Sequence, residues 1–572
     1  MPRMSAPLGS FVLVLHAHLP YVLRHSVWPH GEDWLYEAAV ETYLPLLTMI
    51  DECVYHDAPP HLTINLSPIL LEQLDHEHFK KGFEHYLADR VERAGKDRRE
   101  FESQNEPHLA YLAERWQQWY ESAAEQFANM HRDIPRAFAK RAREGWIEIL
   151  TSAATHAYFP LLYEDSSIRA QLRAGLASSH RILGFKPTGL WLPECGYRPG
   201  GPWRPPIGWS GKDHRIGIEH LVADETLDHF FVEHHLIQKS RSEMVFNDGQ
   251  WWKVECSEGD KYSSRGWQSI HEAHWVNSNG TGEARIAAMG RDPEICEKVW
   301  SGAIGYPADP VYLEFHKRWG TERGLRYWKV TGTKTNLGDK HHYDPDHVPG
   351  KLHEHAQHFS NCVRDRLRAH HQQTGRHGMV VATFDAELFG HWWFEGPQFL
   401  RDVILTINAD PQIQLATTSK YLHDHRPDKI VSLPEGSWGE GGDHRVWTNE
   451  QVNWMLDIEY RCEANFGKAT YQLPWESKPQ INELLKKAGR ELLLLQASDW
   501  PFAVRRGQAV DYGIKRFMLH VSRFETLIEI AEKIAKDSAY LGKLTNLEQH
   551  EIQDADIHDI VFPNMELQWW NM

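Results

Sequence analysis

The chain has 572 residues, and its 62 basic and 79 acidic side chains give a formal net charge of -17. This excess of negative charge disfavours binding to nucleic-acid phosphates and to anionic lipid, so we expect neither nucleic acid nor membrane as a partner. No segment approaches the roughly 18 consecutive apolar residues of a membrane-spanning helix. The length allows one large domain and at least one smaller one, because single cores stop growing near about 250–300 residues.

Cysteine usage and aromatic content narrow the class of protein further. The six cysteines include no C-x-x-C pair, which disfavours a disulfide framework or a thiolate zinc site and favours a reducing cytoplasm. The chain is rich in aromatic residues, with 24 Trp, 20 Tyr and 22 Phe. Flat rings stack on the apolar faces of sugars as they do on other rings. Composition alone leaves open whether these rings bind carbohydrate or fill a large core.

Short apolar runs rich in β-forming residues recur along the chain, and polar residues follow each of them. They predict strands over residues 11–15, 62–66, 147–150, 189–192, 379–383 and 413–416. Between them lie stretches of helical spacing such as 168–183, with Ser166 or Ser167 as the N-cap and Gly184 as the stop. Apolar strands that alternate with helices predict a parallel sheet covered on both faces, with functional residues at the carboxyl ends of its strands.

The pattern also predicts how the chain is divided. The charged, helix-rich region 72–143 reads as an insertion between early strands, and 426–450 turns to Pro, Gly and Asp, as long functional loops do. Helical spacing returns over 451–464, 479–496 and 512–534. We therefore predict a catalytic domain over 1–430, followed over 431–572 by a linker loop and a C-terminal helical domain that completes the cleft.

Two acidic residues directly follow predicted strands. Glu194 lies in GLWLPECGYR (189–198) and Asp385 in VATFDAELFGHWW (381–393). Cleaving a glycosidic bond with retention needs one carboxylate to attack and another to protonate the leaving oxygen, about 5–5.5 Å apart. Strand ends of one sheet can deliver such a pair, and Trp-rich surroundings would raise the pKa of the proton donor. Taken alone, either acid could equally cap a helix or form an ion pair.

His16 and His18 form a second candidate feature at the end of the first predicted strand. Strand alternation points both imidazoles to the same side, which suits either a metal or hydrogen bonds to sugar hydroxyls. The chain has no H-E-x-x-H motif, and His353, His355 and His358 fit a solvated helix face better than a metal site. We therefore predict no catalytic metal.

Five regions of the chain, in order and spacing, resemble the signature regions of glycoside hydrolase family 57. They are residues 16–21, 145–156, 191–197, 383–393 and 437–447. Within the family the chain resembles the 1,4-α-glucan branching enzymes, a similarity that extends over 41–47, 197–206, 305–317 and 492–502. Five matches in order are far more specific than one, and together these segments cover essentially the whole chain.

The resemblance implies a distorted (β/α)7 barrel with an inserted helical region and a C-terminal α-helical domain. It implies transfer of α-1,4-glucan chains to α-1,6 branch points in glycogen biosynthesis, without cofactor or metal, with Glu194 as nucleophile and Asp385 as general acid/base. The further residues that it assigns to glucan contacts are Arg291, Ala308, Trp438, Asp499 and Gln508. Those that it assigns to the lining of the cleft are His16, His18, His156, Trp300 and Trp447.

Two departures from the family pattern bear on branching rather than on glycoside chemistry. Ala308 stands where the family commonly has glycine after Tyr-Pro. The family's mobile loop, tipped with tyrosine, corresponds to a stretch at about 240–268 that we read as irregular, with Tyr262 as its only tyrosine.

Three alternative functions remain open from the sequence. A family 57 α-amylase or 4-α-glucanotransferase would share both carboxylates and differ in how it handles the acceptor. A zinc-dependent α-mannosidase or polysaccharide deacetylase would use His16 and His18 as metal ligands. A non-catalytic glycan-binding or regulatory protein would keep the cleft without needing Glu194 and Asp385.

Overall fold

The computed structural model describes residues 6–247, 249–254, 268–279, 283, 285–321, 323–557 and 560–571. Its strands are β1 (Gly9–Ala17), β2 (Leu62–Leu66), β3 (Ile147–Leu150), β4 (Gly189–Leu190), β5 (Gly201–Trp203), β6 (Lys212–Arg215), β7 (His229–Val232), β8 (Arg241–Asn247), β9 (Gln250–Lys253), β10 (His274–Val276), β11 (Ala287–Gly290), β12 (Gly378–Asp385), β13 (Ile413–Leu415) and β14 (Lys429–Ser432). 

Its α-helices are α1 (Glu32–Ala38), α2 (Leu44–Tyr55), α3 (Pro68–Asp75), α4 (Glu77–Ser103), α5 (Pro107–Asn129), α6 (Ile134–Arg143), α7 (Asp165–Leu183), α8 (Ile218–Asp224), α9 (His234–Gln238), α10 (Pro293–Trp300), α11 (Val348–Thr374), α12 (Gly396–Asn408), α13 (Thr418–Asp424), α14 (Asn453–Gln472), α15 (Pro479–Leu495), α16 (Asp499–Arg506), α17 (Val510–Lys536) and α18 (Asn546–Ile557). A π-helical turn, Ala39–Tyr43, joins α1 to α2.

A ring of parallel strands forms the centre of the fold. β12, β1, β2 and β3 pair side by side in parallel, and β4, β7 and β11 form a second parallel set. A parallel bridge between Thr151 and Leu190 joins β3 to β4. Between β11 and β12 the ring closes through one backbone hydrogen bond, from the Asp292 N–H to the Val381 oxygen at 2.8 Å. This is the distorted (β/α)7 barrel expected from the sequence.

The barrel strands are apolar because both of their faces are covered. Every residue of β1 is buried, as expected for a strand with the barrel interior on one face and helices on the other. The predicted strands are confirmed, but the fourth ends at Leu190 rather than 192. Pro193 has no N–H for the ladder, and Glu194 and Cys195 adopt left-handed φ values of 58° and 49°.

For helix α7 the predicted N-cap is wrong and the predicted end is correct. It begins at Asp165, with Glu164 and neither Ser166 nor Ser167 as its N-cap. Asp165 accepts the Ile216 N–H at 3.0 Å, and a carboxylate in the first turn is favoured by the helix dipole. The predicted stop is confirmed, since Gly184 ends the helix at a φ of 78°.

The two helical regions predicted outside the strand–helix alternation are both present. Between β2 and β3 lie α3 to α6, of which α4 and α5 are long and packed together. The three C-terminal helices predicted from spacing are confirmed as α14, α15 and α17, while the short α16 was missed. Among the described helices none has the length and apolar character that crossing a membrane requires. The boundary drawn at 430/431 falls inside β14, which pairs with β10 and β8, and the division into domains stays a prediction.

The stretch 240–268 is more regular at its start than the sequence suggested. β8 and β9 form an antiparallel hairpin, and β8 also pairs with β14. Alternating β-forming residues and Gly249, whose φ is 81°, account for the hairpin. Tyr262 and Trp267 lie outside the described residues.

The turn after β12 requires a glycine, and this gives a test of the packing. Gly390 has a φ of 111°, and a Cβ there would lie 1.7 Å from the Glu41 carbonyl oxygen. We expect Gly390→Ala to lower the free energy of unfolding by about 2 kcal/mol or more, measured by chemical denaturation. Gly467→Ala is the matched control, because its Cβ meets nothing within 4 Å. It should be neutral or stabilising by up to about 1 kcal/mol, and equal losses in both variants would contradict this account.

Candidate active site

Glu194 follows the carboxyl end of β4 and is half-buried among aromatic side chains. Its backbone is left-handed, with φ 58° and ψ 23°, which turns the side chain out of the strand direction. Its Oε2 accepts the Trp438 indole N–H at 2.7 Å, and its Oε1 accepts the Ser498 hydroxyl at 3.4 Å. Burial raises the pKa of Glu194 to about 7, although the Trp438 hydrogen bond acts in the opposite direction.

Asp385 is the last residue of β12 and stands in register with His16 of β1. Burial raises its pKa well above the ordinary value, and the negative charges of Glu387 and Glu194 raise it further, against the opposing charge of Arg291. The charge of Glu194 therefore acts directly on Asp385. Two half-buried carboxyl groups from opposite halves of the barrel sequence share one electrostatic environment.

Two tryptophans connect the surroundings of the acids. Trp438, the hydrogen-bond donor to Glu194, contacts Trp300 edge to face at 6.0 Å between ring centroids. The Trp300 indole N–H donates to the carbonyl of Thr383 at 3.3 Å, two residues before Asp385. The pair forms an aromatic path from one acid to the strand that carries the other.

Three histidines and a tryptophan form a stack beside Glu194. The His16 ring lies 4.7 Å from Trp191 and 4.9 Å from His156, and His18 lies 4.1 Å from His156, all with nearly parallel planes. Burial lowers the pKa of both His16 and His156 well below the usual value, so both rings are neutral at physiological pH. The His156 Nδ1 is 3.8 Å from the Glu194 Oε1, which places the stack against this acid.

The C-terminal helices supply polar groups to the same place. Asp499, the first residue of α16, has its Oδ2 3.1 Å from the His18 Nε2. The hydroxyl of the preceding residue, Ser498, lies 2.9 Å from the His156 Nδ1 and also donates a hydrogen bond to the Glu194 Oε1. The barrel alone therefore does not complete the environment of Glu194.

Among the residues that the structure describes, two groups of side chains bring potential metal ligands within 4.8 Å of one another. They are His18, His156 and Asp499, and Glu233, His234 and His235. In the first group the rings of His18 and His156 are stacked with an interplanar angle of 20°. Lone pairs in two nearly parallel rings run side by side rather than converging on one ion. A metal-free mechanism stays our prediction.

Arg291 is held by a buried carboxylate near the cleft. Its Nη2 forms an ion pair with the Glu233 Oε2 at 2.8 Å, and its guanidinium carbon lies 6.0 Å from the Trp438 ring. Its positive charge reaches Asp385, whose pKa it lowers against the effect of burial. Arg291 therefore lies close to both Trp438 and Asp385, and its contact with glucan stays a prediction.

The remaining predicted residues are Trp447, Ala308 and Gln508. Trp447 is buried and stacks on Tyr158 at 4.2 Å, a contact that packs the base of the 437–447 loop. Ala308 ends a 3-10 turn, Tyr306–Ala308, and Gln508 is exposed between α16 and α17. Within the described ranges no hydrogen bond connects Ala308 or Gln508 to Glu194 or Asp385.

Sequence reasoning missed several residues that shape the site, above all Glu387. This buried carboxylate accepts the Tyr43 hydroxyl at 2.6 Å and the His18 backbone N–H at 3.2 Å, and burial raises its pKa. Its place two residues after Asp385 was the available signal. For Ser498 the available signal was its position next to the predicted site residue Asp499. Glu233 had no comparable sequence signal.

Comparison with known proteins identifies the family to which the chain is similar. The profile of Glycosyl hydrolase family 57 matches residues 12–273, and that of the 1,4-alpha-glucan branching enzyme C-terminal region matches 460–570. A curated 1,4-alpha-glucan branching enzyme of Thermococcus kodakarensis, TK1436, is 35% identical over 97% of this chain and 78% of its own length.

Solved structures show the same relationship. The family 57 branching enzyme of Pyrococcus horikoshii superposes with a TM-score of 0.86 at 34% identity, covering 98% of this chain and 97% of its own. The α-amylase AmyC of Thermotoga maritima gives a TM-score of 0.79 at 26% identity, with 99% of both chains covered. The family resemblance seen in the sequence is confirmed: the chain belongs to glycosyl hydrolase family 57.

Proposed function

We propose that the protein is a 1,4-α-glucan branching enzyme that cleaves an α-1,4 bond with retention and re-attaches the released chain through an α-1,6 linkage. The observation that carries the proposal is the pair Glu194 and Asp385, two half-buried strand-end carboxyl groups whose charges interact beside an aromatic wall. Retaining glycoside chemistry needs two such groups with opposite protonation states.

The electrostatics assign a role to each acid. Burial and the negative charges of Glu387 and Glu194 raise the pKa of Asp385 well above its ordinary value and favour its protonated form, while the Trp438 hydrogen bond favours the ionised form of Glu194 against the burial that raises its pKa to about 7. An ionised Glu194 attacks the anomeric carbon, and Asp385 gives its proton to the leaving glucan oxygen. Once Glu194 is esterified its negative charge is gone, which lowers the pKa of Asp385 and prepares it to accept a proton from the incoming acceptor.

The second half of the reaction decides between transfer and hydrolysis. A sugar 6-hydroxyl resolves the glucosyl ester to a branch, whereas water resolves it to a new reducing end. Aromatic walls such as Trp438 and Trp300 limit bulk water and orient sugar rings, which favours the sugar acceptor. Arg291 and Asp499, close to the acids, are proposed to bind sugar hydroxyls.

Relatives support branching over the alternatives. TK1436 and the Pyrococcus horikoshii protein, both named as branching enzymes, match at higher identity than the α-amylase AmyC does. The C-terminal profile that matches 460–570 is that of branching enzymes. A family 57 hydrolase or glucanotransferase remains the second candidate, because AmyC shares the fold over the whole chain.

The remaining proposals concern substrate, cofactor and location. We propose amylose-like α-1,4-glucan as the substrate in glycogen biosynthesis, with no cofactor. A cytoplasmic location fits five described cysteines that are free thiols, namely Cys53, Cys195, Cys296, Cys362 and Cys462.

The products formed from amylose test the proposed function. We expect α-1,6 linkages, released as short chains by a debranching enzyme, to accumulate without a matching gain in reducing ends. Glu194→Gln should lower the rate by about a thousandfold or more, since it removes the nucleophile while preserving the shape of the site. One new reducing end for each bond cut would contradict branching, and loss of activity after exhaustive chelation would favour the zinc-enzyme alternative.

The Trp438 hydrogen bond should set the acid limb of the pH profile. Trp438→Phe removes the donor that lowers the pKa of Glu194, so the nucleophile will be protonated at higher pH. We expect the acid limb of kcat/KM to move upward by about one pH unit, given the strength of a hydrogen bond to a charged group. Trp300→Phe is the control. The indole N–H that it removes donates to the Thr383 carbonyl and not to Glu194, so the acid limb should stay in place. An unmoved limb in Trp438→Phe would contradict this role.

The charge of Glu387 should set the alkaline limb. Glu387→Gln removes a negative charge that raises the pKa of Asp385, so the acid will lose its proton at lower pH. We expect the alkaline limb of kcat/KM to move to lower pH. Glu395→Gln is the matched control, because Glu395 is also buried and also accepts a tyrosine hydroxyl, that of Tyr343 at 2.7 Å. A shift of similar size in both variants would show that the effect is not specific to Glu387.

A further inference from the structure

An aromatic pair joins the loop that follows β12 to the segment that precedes α11. Trp392 is 48% exposed, and its ring centroid lies 4.4 Å from that of Phe315, with 30° between the planes. Phe315 itself is half-buried, so it supports one side of the indole while much of the indole surface stays open. We refer to Phe315 and Trp392 as the aromatic platform.

The backbone beneath the platform is fixed on several sides. The Trp392 N–H donates to the Glu387 carbonyl at 3.0 Å, and the Gly390 N–H donates to the Trp393 carbonyl at 2.7 Å. The His391 N–H donates to the Thr42 hydroxyl at 3.2 Å. An indole on so constrained a backbone loses little further entropy when a ligand binds it.

The charges under the platform neutralise one another. Arg326 lies 5.8 Å from the Phe315 ring and forms an ion pair with Glu41 at 2.7 Å, with both side chains 3% exposed. Glu41 also bonds the His391 Nδ1 at 2.7 Å. With these charges paired, the chemistry of the platform suits a neutral ligand with flat apolar faces better than an ionic one.

Hydrogen bonds connect the platform to the candidate active site through Glu387. The residue that accepts the Trp392 N–H is Glu387, whose carboxylate bonds Tyr43 and the His18 backbone and whose charge acts on Asp385. Both Tyr43 and Glu41 belong to the π-helical turn Ala39–Tyr43, a kind of distortion that is frequent at functional sites. The same small element therefore positions the platform and a neighbour of the proposed acid.

We propose that the aromatic platform is an outer subsite that binds the non-reacting part of a long α-glucan chain whose reacting glucose lies between Glu194 and Asp385. This inference rests on the proposed function and deepens it. The Trp392 indole stacks on a glucose ring several units away from the bond that is cut. The subsite acts on long chains and not on short oligosaccharides, which end before they reach it.

Binding to an inactive protein tests the subsite without turnover. In the Glu194→Gln background, the affinities for maltotriose and for soluble short-chain amylose would be measured by calorimetry. Trp392→Ala should weaken amylose binding about two- to tenfold, the range expected for one lost stacking contact, and leave maltotriose binding unchanged. Trp392→Phe, which keeps a stacking ring, should restore most of the affinity for amylose.

Tyr55→Ala provides the matched control for removing an exposed aromatic ring. Tyr55 is 85% exposed at the end of α2, just before β2 begins, and so lies at the opposite face of the barrel. Tyr55→Ala should change neither the affinity for maltotriose nor that for amylose. Circular dichroism would verify that each variant is folded.

Three results would overturn the subsite. They are an amylose affinity that Trp392→Ala does not change, an equal loss for maltotriose and amylose, and self-association of the protein that only Trp392→Ala abolishes. The last result would identify the platform as a contact between copies of the chain. If the Glu194→Gln protein binds no glucan at all, the proposed function fails together with the subsite, whereas glucan binding that is insensitive to Trp392 removes the subsite alone.

Discussion

The constraint on which the site depends is that two half-buried carboxyl groups lie within reach of each other's charge. Taking a carboxylate out of water is costly, and a second negative charge nearby adds to the cost. The protein resolves this by giving the two groups different partners. Glu194 accepts hydrogen bonds from Trp438 and Ser498, which favour its charged form, while the charges of Glu387 and Glu194 keep the proton on Asp385. Unequal pKa values are what acid and nucleophile require in one mechanism.

The C-terminal helices contribute side chains to the site that surrounds Glu194. Ser498 and Asp499 contact His156, His18 and Glu194, all of which the barrel provides. A barrel strand end fixes each acid, but the hydrogen bonds that tune the nucleophile come from the 437–447 loop and from the start of α16. Movement of these C-terminal elements would therefore change the protonation of Glu194 and not only the shape of the cleft.

Local sequence predicted most of the barrel and the two acids. Apolar β-forming runs located the central strands, because a strand that is covered on both faces must be apolar throughout. Errors arose where a single residue overrode the pattern. Pro193 and the left-handed Glu194 shortened β4, and Asp165 moved the start of α7 by offering a first-turn carboxylate with partners of its own. The hairpin of β8 and β9 was missed because its aromatic residues were read as part of a loop.

The sequence by itself determined the strand and helix periodicity, the positions of Glu194 and Asp385 after strands, and the family, since each is recorded in contiguous residues. Tertiary structure alone decided that Glu387, Ser498 and Glu233 surround the acids, and that Ala308 and Gln508 have no described hydrogen bond to them. The physical reason is that burial and charge–charge interaction depend on distance in space. A carboxyl group acquires its pKa from neighbours that can be hundreds of residues away, as Glu194 does from Trp438, 244 positions along the chain.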